Sequence, residues 1–131
     1  MELEHIGIAV TDLARATERW RTVAGEPDGP PEVVAGQAVR VAFLPAGPIE
    51  VELLEPTSPE SPVGRFVSKR GEGLHHLAFR VPSVDDALAD LLRRGEKVVD
   101  RVGRKGARGR TVGFAHPSAF GGVLVEFVEV R

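Results

Sequence analysis

Two histidines and two glutamates hold matching places in this chain, and metal chemistry is what that set could do. His5 opens the alternating segment His5-Ile6-Gly7-Ile8-Ala9-Val10, and seventy-one positions later His76 opens His76-Leu77-Ala78-Phe79-Arg80-Val81. Glu52 lies inside Val51-Glu52-Leu53-Leu54-Glu55, and Glu126 lies inside Val125-Glu126-Phe127-Val128-Glu129, seventy-four positions on. Neutral imidazole nitrogen and carboxylate oxygen suit a divalent first-row ion such as Mn, Co, Fe, Ni or Zn. Four protein ligands on an octahedral ion leave two positions open, enough to chelate a substrate through two oxygens. A plainer reading exists for each residue alone. A strand-end histidine is commonly structural, and either glutamate could face solvent from an amphipathic strand, with Glu50 on the same face as Glu52. A buried carboxylate without a partner is expensive, however. The joint placement of all four favours the metal.

The elements that must position these residues form two copies of one unit, a pattern to be sought first because missing it misreads a fold. Ile6, Ile8, Val10, Leu13 and Ala16 match Leu77, Phe79, Val81, Val84 and Ala87. Each half begins with a strand of period two. Thr11 or Asp12 can cap a helix running through Leu13, Ala16 and Trp20 toward Gly25. Ser83 can cap a second helix, with Val84, Ala87, Leu88, Leu91 and Leu92 apolar and Gly95 just beyond its end. Shorter strands are expected at Val39–Leu44, Lys97–Val99 and Thr111–Ala115, before the final strands that carry Glu52 and Glu126. Each half therefore reads β-α-β-β-β. Between them lies a proline-rich linker from Pro56 to Pro62, a short helical stretch Val63–Lys69, and Gly71-Glu72-Gly73.

Composition bounds the function without naming it. A chain of 131 residues fits one domain, and 42% apolar with 27% charged residues is ordinary for a globular protein. The net charge of −2 provides no global field for nucleic acid or an anionic membrane. With no cysteine there is no disulfide scaffold, thiolate zinc site or thiol nucleophile. No apolar run approaches the ~18 residues of a membrane span, and Met1–His5 has no signal-peptide pattern, so the cytoplasm is the expected location. Arg101, Arg104, Lys105, Arg108 and Arg110 form a basic, glycine-interrupted loop that could hold phosphates through arginine forks and backbone N–H groups, or could simply be solvated. Arg65, Lys69 and Arg70 are weaker cations for the same purpose.

At these residues the chain resembles the vicinal oxygen chelate superfamily, and within it the methylmalonyl-CoA epimerases. The general signal is His5-Ile6-Gly7-Ile8. More specific are Val39–Leu44, Glu52-Leu53-Leu54-Glu55-Pro56, Ser61-Pro62-Val63, and above all Gly71-Glu72-Gly73-Leu74-His75-His76-Leu77-Ala78-Phe79. Gly106-Ala107-Arg108-Gly109, Phe114-Ala115-His116-Pro117 and Gly122-Val123-Leu124-Val125-Glu126 follow in order, so the resemblance covers essentially the whole chain.

The resemblance implies an α+β fold of two tandem β-α-β-β-β modules forming a metal-binding cleft between curved mixed sheets. It implies one domain over 1–131, with repeat one at about 1–56, the linker at about 57–73 and repeat two at about 74–131. Carried over by position, His5, Glu52, His76 and Glu126 would bind one divalent ion per chain, Co or Mn foremost, with Zn, Ni or Fe as alternatives. The implied reaction interconverts (R)- and (S)-methylmalonyl-CoA through an enediolate stabilised by that ion. The implied partner is an acyl-CoA thioester, with its phosphates on Arg104, Lys105 and Arg108, and the implied assembly is a homodimer. Three positions depart from the pattern. Some epimerases carry Gln where Glu52 stands, some carry a proton-transferring Glu where Val41 stands, and Lys often stands where this chain has Ser118. A hydrocarbon cannot transfer a proton, which leaves Glu126 and Glu52 as the candidate bases. His75 should point away from His76 across its strand, and His116 reads as a turn residue. The alternatives are a glyoxalase I-type isomerase (lactoylglutathione lyase), which can use the same ligand types, and a non-catalytic small-molecule-binding member.

Overall fold

The computed structural model describes residues 1–130. The chain divides into two compact units, one of His5–His75, the other of Met1–Glu4 with the residues from His76 onward. In chain order the first elements are β1 (Glu2–Ala9), α1 (Leu13–Trp20), β2 (Glu32–Val34), β3 (Val39–Ala46), β4 (Ile49–Pro56) and α2 (Pro62–Arg70). They are followed by β5 (Gly73–Val81), α3 (Val84–Arg93), β6 (Arg104–Lys105), β7 (Thr111–Phe114) and β8 (Val125–Glu129). The boundary between the units falls inside β1 and inside β5.

The two halves share one topology. In the first, the strands run β2-β3-β4-β1, and in the second they run β6-β7-β8-β5. The opening strand lies parallel to the closing strand in each (β1 with β4, β5 with β8), and the remaining neighbours are antiparallel. This is an α+β fold of two β-α-β-β-β modules, as the repeat predicts.

Local chemistry explains the helices. Asp12 is extended and accepts the Arg15 N–H at 3.1 Å, while Ser83 accepts the Asp86 N–H at 3.1 Å in the same way. Asp85 and Asp86 add negative charge to the first turn of α3, where the helix dipole favours it. In the first unit Leu13 packs on Ile8, Val10, Ala42, Leu44, Val51 and Leu53, with Ala16 and Trp20 against the same cluster. In the second, Val84 and Leu88 pack on Val81, Ala115, Val125 and Phe127. Gly113 allows α3 to lie close on β7, since a Cβ there would come 2.8 Å from Leu88 and 2.9 Å from Val84. Each helix therefore covers one face of its strands, and the opposite face is left for other side chains.

Three sequence expectations are corrected. Lys97–Val99 is not a strand, because Val98 makes only an isolated bridge to Ala115. The partner of β7 is β6 instead, turned back through Ala107–Gly109 with Gly106 N–H donating to Arg110 O at 2.8 Å. β2 was not foreseen, and α1 stops at Trp20 rather than running toward Gly25. The proline-rich linker is an ordered piece of chain. Ser61 caps α2 by accepting the Gly64 N–H at 3.0 Å, and its hydroxyl donates to Ser58 O at 2.7 Å.

The linker is tied down again at its far end. Glu72 accepts from the Thr11 N–H at 2.7 Å and from the Thr11 hydroxyl at 3.0 Å. The backbone bond foremost, then the hydroxyl, hold the Glu72 carboxyl below its ordinary value, with Arg19 and Arg15 assisting against a small effect of burial. A pKa lowered in the folded state means stabilisation present above the ordinary carboxylate range and lost as pH falls through the native value. Carbon-detected NMR titration should therefore find Glu72 titrating below an ordinary glutamate. Thr11→Val should raise its pKa only part of the way, because the N–H remains. A Glu72 pKa at the ordinary value, or one unmoved by Thr11→Val, would contradict the tie.

Candidate metal centre

In the first unit the parallel register sets Gly7 beside Glu52 and His5 beside Glu50. Side chains two apart share a face, so His5 and Glu52 project from the same side of neighbouring strands. Their Nε2 and Oε1 atoms are 3.2 Å apart, and both residues are buried. Phe43 lies directly across from Glu52 on β3. Its ring meets the His5 imidazole edge-on at 5.6 Å between centroids and 87° between planes. The contact holds the imidazole against a rigid apolar wall.

The second unit repeats this arrangement. Ala78 is the register partner of Glu126, and His76 Nε2 lies 3.2 Å from Glu126 Oε1. Phe114 is opposite Glu126 on β7, with its ring edge-on to His76 at 5.5 Å and 84°. The two phenylalanines were missed in the sequence, although they recur at the same seventy-one-residue offset as the histidines. What was lacking was the register that sets each beside its glutamate.

The remaining candidates divide. His75 points away from the pair, as alternation requires, and its ring meets Phe66 of α2 at 4.9 Å. His116 is the turn residue expected, accepting the Ser118 N–H at 3.0 Å through Nδ1. Val41 is buried two residues before Phe43, on the face shared with Glu52, and contributes only hydrocarbon there. In the basic loop, Asp100 grips Arg104 at 3.1 Å with one oxygen and accepts the Phe114 N–H at 2.8 Å with the other. Arg104 lies over the Phe114 ring at 5.9 Å, which brings it alongside the second His–Glu pair. Lys105 is exposed on β6, and Arg108 sits in the following turn at φ +59.

Each unit thus offers one imidazole nitrogen and one carboxylate oxygen, buried and aimed at each other. The chemistry of that donor set fits a divalent ion of intermediate hardness.

Comparison with known proteins identifies the family. The family model for the glyoxalase/bleomycin resistance protein/dioxygenase superfamily matches residues 4–114. The chain belongs to this superfamily. An uncharacterised protein of Bacillus subtilis (strain 168) is 40% identical over 98% of this chain and 92% of its own length. The ethylmalonyl-CoA/methylmalonyl-CoA epimerase of Cereibacter sphaeroides is 35% identical over 98% and 97%. Among solved structures, a single-site variant of Streptomyces coelicolor methylmalonyl-CoA epimerase in complex with 2-nitronate-propionyl-CoA is 38% identical. It covers 100% of this chain and 95% of that one, with a TM-score of 0.93.

A buried ion pair anchors this superfamily member's first strand beside its histidine. Glu4 precedes His5 and faces the other way, where it contacts the Arg110 guanidinium, whose second arm donates to Glu129 O at 3.2 Å. Both side chains are largely withdrawn from water. Removing one partner of such a pair strands the other charge, at a cost of roughly 3–5 kcal/mol. Arg110→Ala should therefore lower the urea midpoint strongly with an unchanged m-value, whereas Arg93→Ala, whose pair with Asp90 is exposed, should cost under about 1 kcal/mol. Equal, small losses for both would contradict the assignment.

Proposed function

We propose that the two His–Glu pairs hold a single divalent ion, Co or Mn foremost, and that the chain is a methylmalonyl-CoA epimerase. The observation that carries the metal reading is that ligand atoms of His5, Glu52, His76 and Glu126 all lie within 4.8 Å of one another. The substrate reading rests on relatives named as methylmalonyl-CoA epimerases that are matched over nearly the full chain. On this reading the 131 residues act as one domain of two repeats and a linker, as a homodimer in the cytoplasm. Among the described residues, no helix is long and apolar enough to cross a membrane.

When bound, a divalent ion supplies Lewis-acid polarisation of carbonyl and carboxylate oxygens. The protein's own groups do the rest. Epimerisation removes the proton between the thioester and carboxylate carbons to give an enediolate, then returns a proton to the opposite face. Glu126 and Glu52 are the carboxylates assigned to these transfers, each acting as a base only when its oxygen is not held by the ion, since Val41 offers no acid or base on the same face. Phe43 and Phe114 hold the imidazoles in place and keep water from their edges. Arg104, Lys105 and Arg108 are assigned to the phosphates of the nucleotide portion, with Arg104 already oriented by Asp100.

Proton exchange tests this directly. Methylmalonyl-CoA incubated with the protein and added Co in deuterated water should gain deuterium at the α-carbon as its epimers interconvert. Glu126→Gln should slow the exchange about 10²–10⁴-fold, and glutathione with methylglyoxal should give no product. In the same assay the combined Arg104→Ala, Lys105→Ala and Arg108→Ala variant should raise KM with kcat little changed, since such contacts bind ground and transition states alike. Each lost contact should cost about 1.5–3 kcal/mol if desolvated, and less if exposed. A substrate truncated to its pantetheine portion should show a smaller effect. No α-exchange, or turnover of the glutathione adduct, would overturn the proposal.

A further inference from the structure

Both units contain a tie that no local helix rule requires. The Leu13 N–H, the first of α1, donates to Glu55 Oε2 at 2.9 Å, and the Val84 N–H, the first of α3, donates to Glu129 Oε1 at 2.9 Å. The usual caps are already present, since Asp12 and Ser83 satisfy the N–H two residues further on. The cap residue differs between the units, but the glutamate reaching across from the closing strand is common to both. Glu55 follows Glu52 by three residues on β4, and Glu129 follows Glu126 by three on β8. An odd separation on a strand puts the two carboxylates on opposite faces. One serves the pair with histidine and the other serves the helix.

We infer that Glu55 and Glu129 are positioning residues for the metal-ligand pairs. Each tie locks the turn after the opening strand to the closing strand beside it. It thereby fixes the parallel register that sets Gly7 against Glu52 and Ala78 against Glu126. A one-residue slip of that register would turn every side chain of the opening strand to the other face, His5 or His76 included. The charged acceptor also faces the positive end of the helix, which strengthens the tie. In the first unit Arg40 lies 3.8 Å from the other Glu55 oxygen and helps to orient the carboxylate.

The inference rests on the metal reading, and cobalt affinity, followed by calorimetry and by the visible spectrum of the bound ion, tests the two separately. Glu55→Ala and Glu129→Ala should each weaken cobalt binding about tenfold or more and alter the spectrum, the scale expected for groups that orient ligands. Glu55→Gln keeps a carbonyl acceptor of the same reach and should restore both. Glu55→Asp keeps the charge but falls one methylene short, and should not. Asp12→Ala removes a bond at the same helix end without touching β4, and should lower stability while leaving affinity and spectrum unchanged. If Glu55→Ala does not fold, the Gln and Asp variants carry the test alone. Wild-type affinity in Glu55→Ala or Glu55→Asp, or an equal loss in Asp12→Ala, would overturn the tie while the metal reading stood. A wild-type protein that binds no cobalt would overturn both.

Discussion

A carboxylate can leave water only beside something that repays its lost hydration. Glu52 and Glu126 are both only 4% exposed, flanked on their strands by Val51 and Leu53 and by Val125 and Phe127. An imidazole nitrogen lies 3.2 Å from each. The rest of the fold is arranged around that demand. The parallel pairing of opening and closing strands brings the imidazole alongside, and the third strand brings a phenylalanine ring to hold it. The helix packs on the other face, where an odd-numbered step along the same strand places a second glutamate at its first N–H.

The two units solve this problem with the same parts, and they differ in the charge set beside them. Opposite Val112 in the second unit stands Arg104, while the corresponding place opposite Val41 in the first is taken by Glu32. The second unit sets the Arg104 guanidinium over the phenylalanine that holds its histidine. The difference lies beside the histidine of one unit and leaves the other with a carboxylate at the matching place.

Much of this was legible in the sequence because it is written twice. The offsets of His5 to His76 and Glu52 to Glu126, the caps at Thr11 or Asp12 and at Ser83, and the alternation around Ile6, Ile8 and Val10 are local signals, and local physics decides them, with Asp12 taking the first cap. β2 and β6 were hidden because two or three residues are too few to display a period, and their pairing is set by the strands they lie against. The isolated bridge at Val98 shows the converse, a short extended segment beside β7 that pairs too briefly to become a strand. Phe43, Phe114, Glu55 and Glu129 were visible as letters, but their roles depend on register and on contacts more than forty residues apart for each glutamate.

The central claim is that four side chains from the two repeats serve one ion. Anomalous diffraction from crystals grown with Co tests it most directly. The account predicts one strong peak per chain, bonded at about 2.0–2.2 Å to a nitrogen of His5 and of His76 and to an oxygen of Glu52 and of Glu126. A metal bound elsewhere, or held by only one of the two pairs, would contradict it.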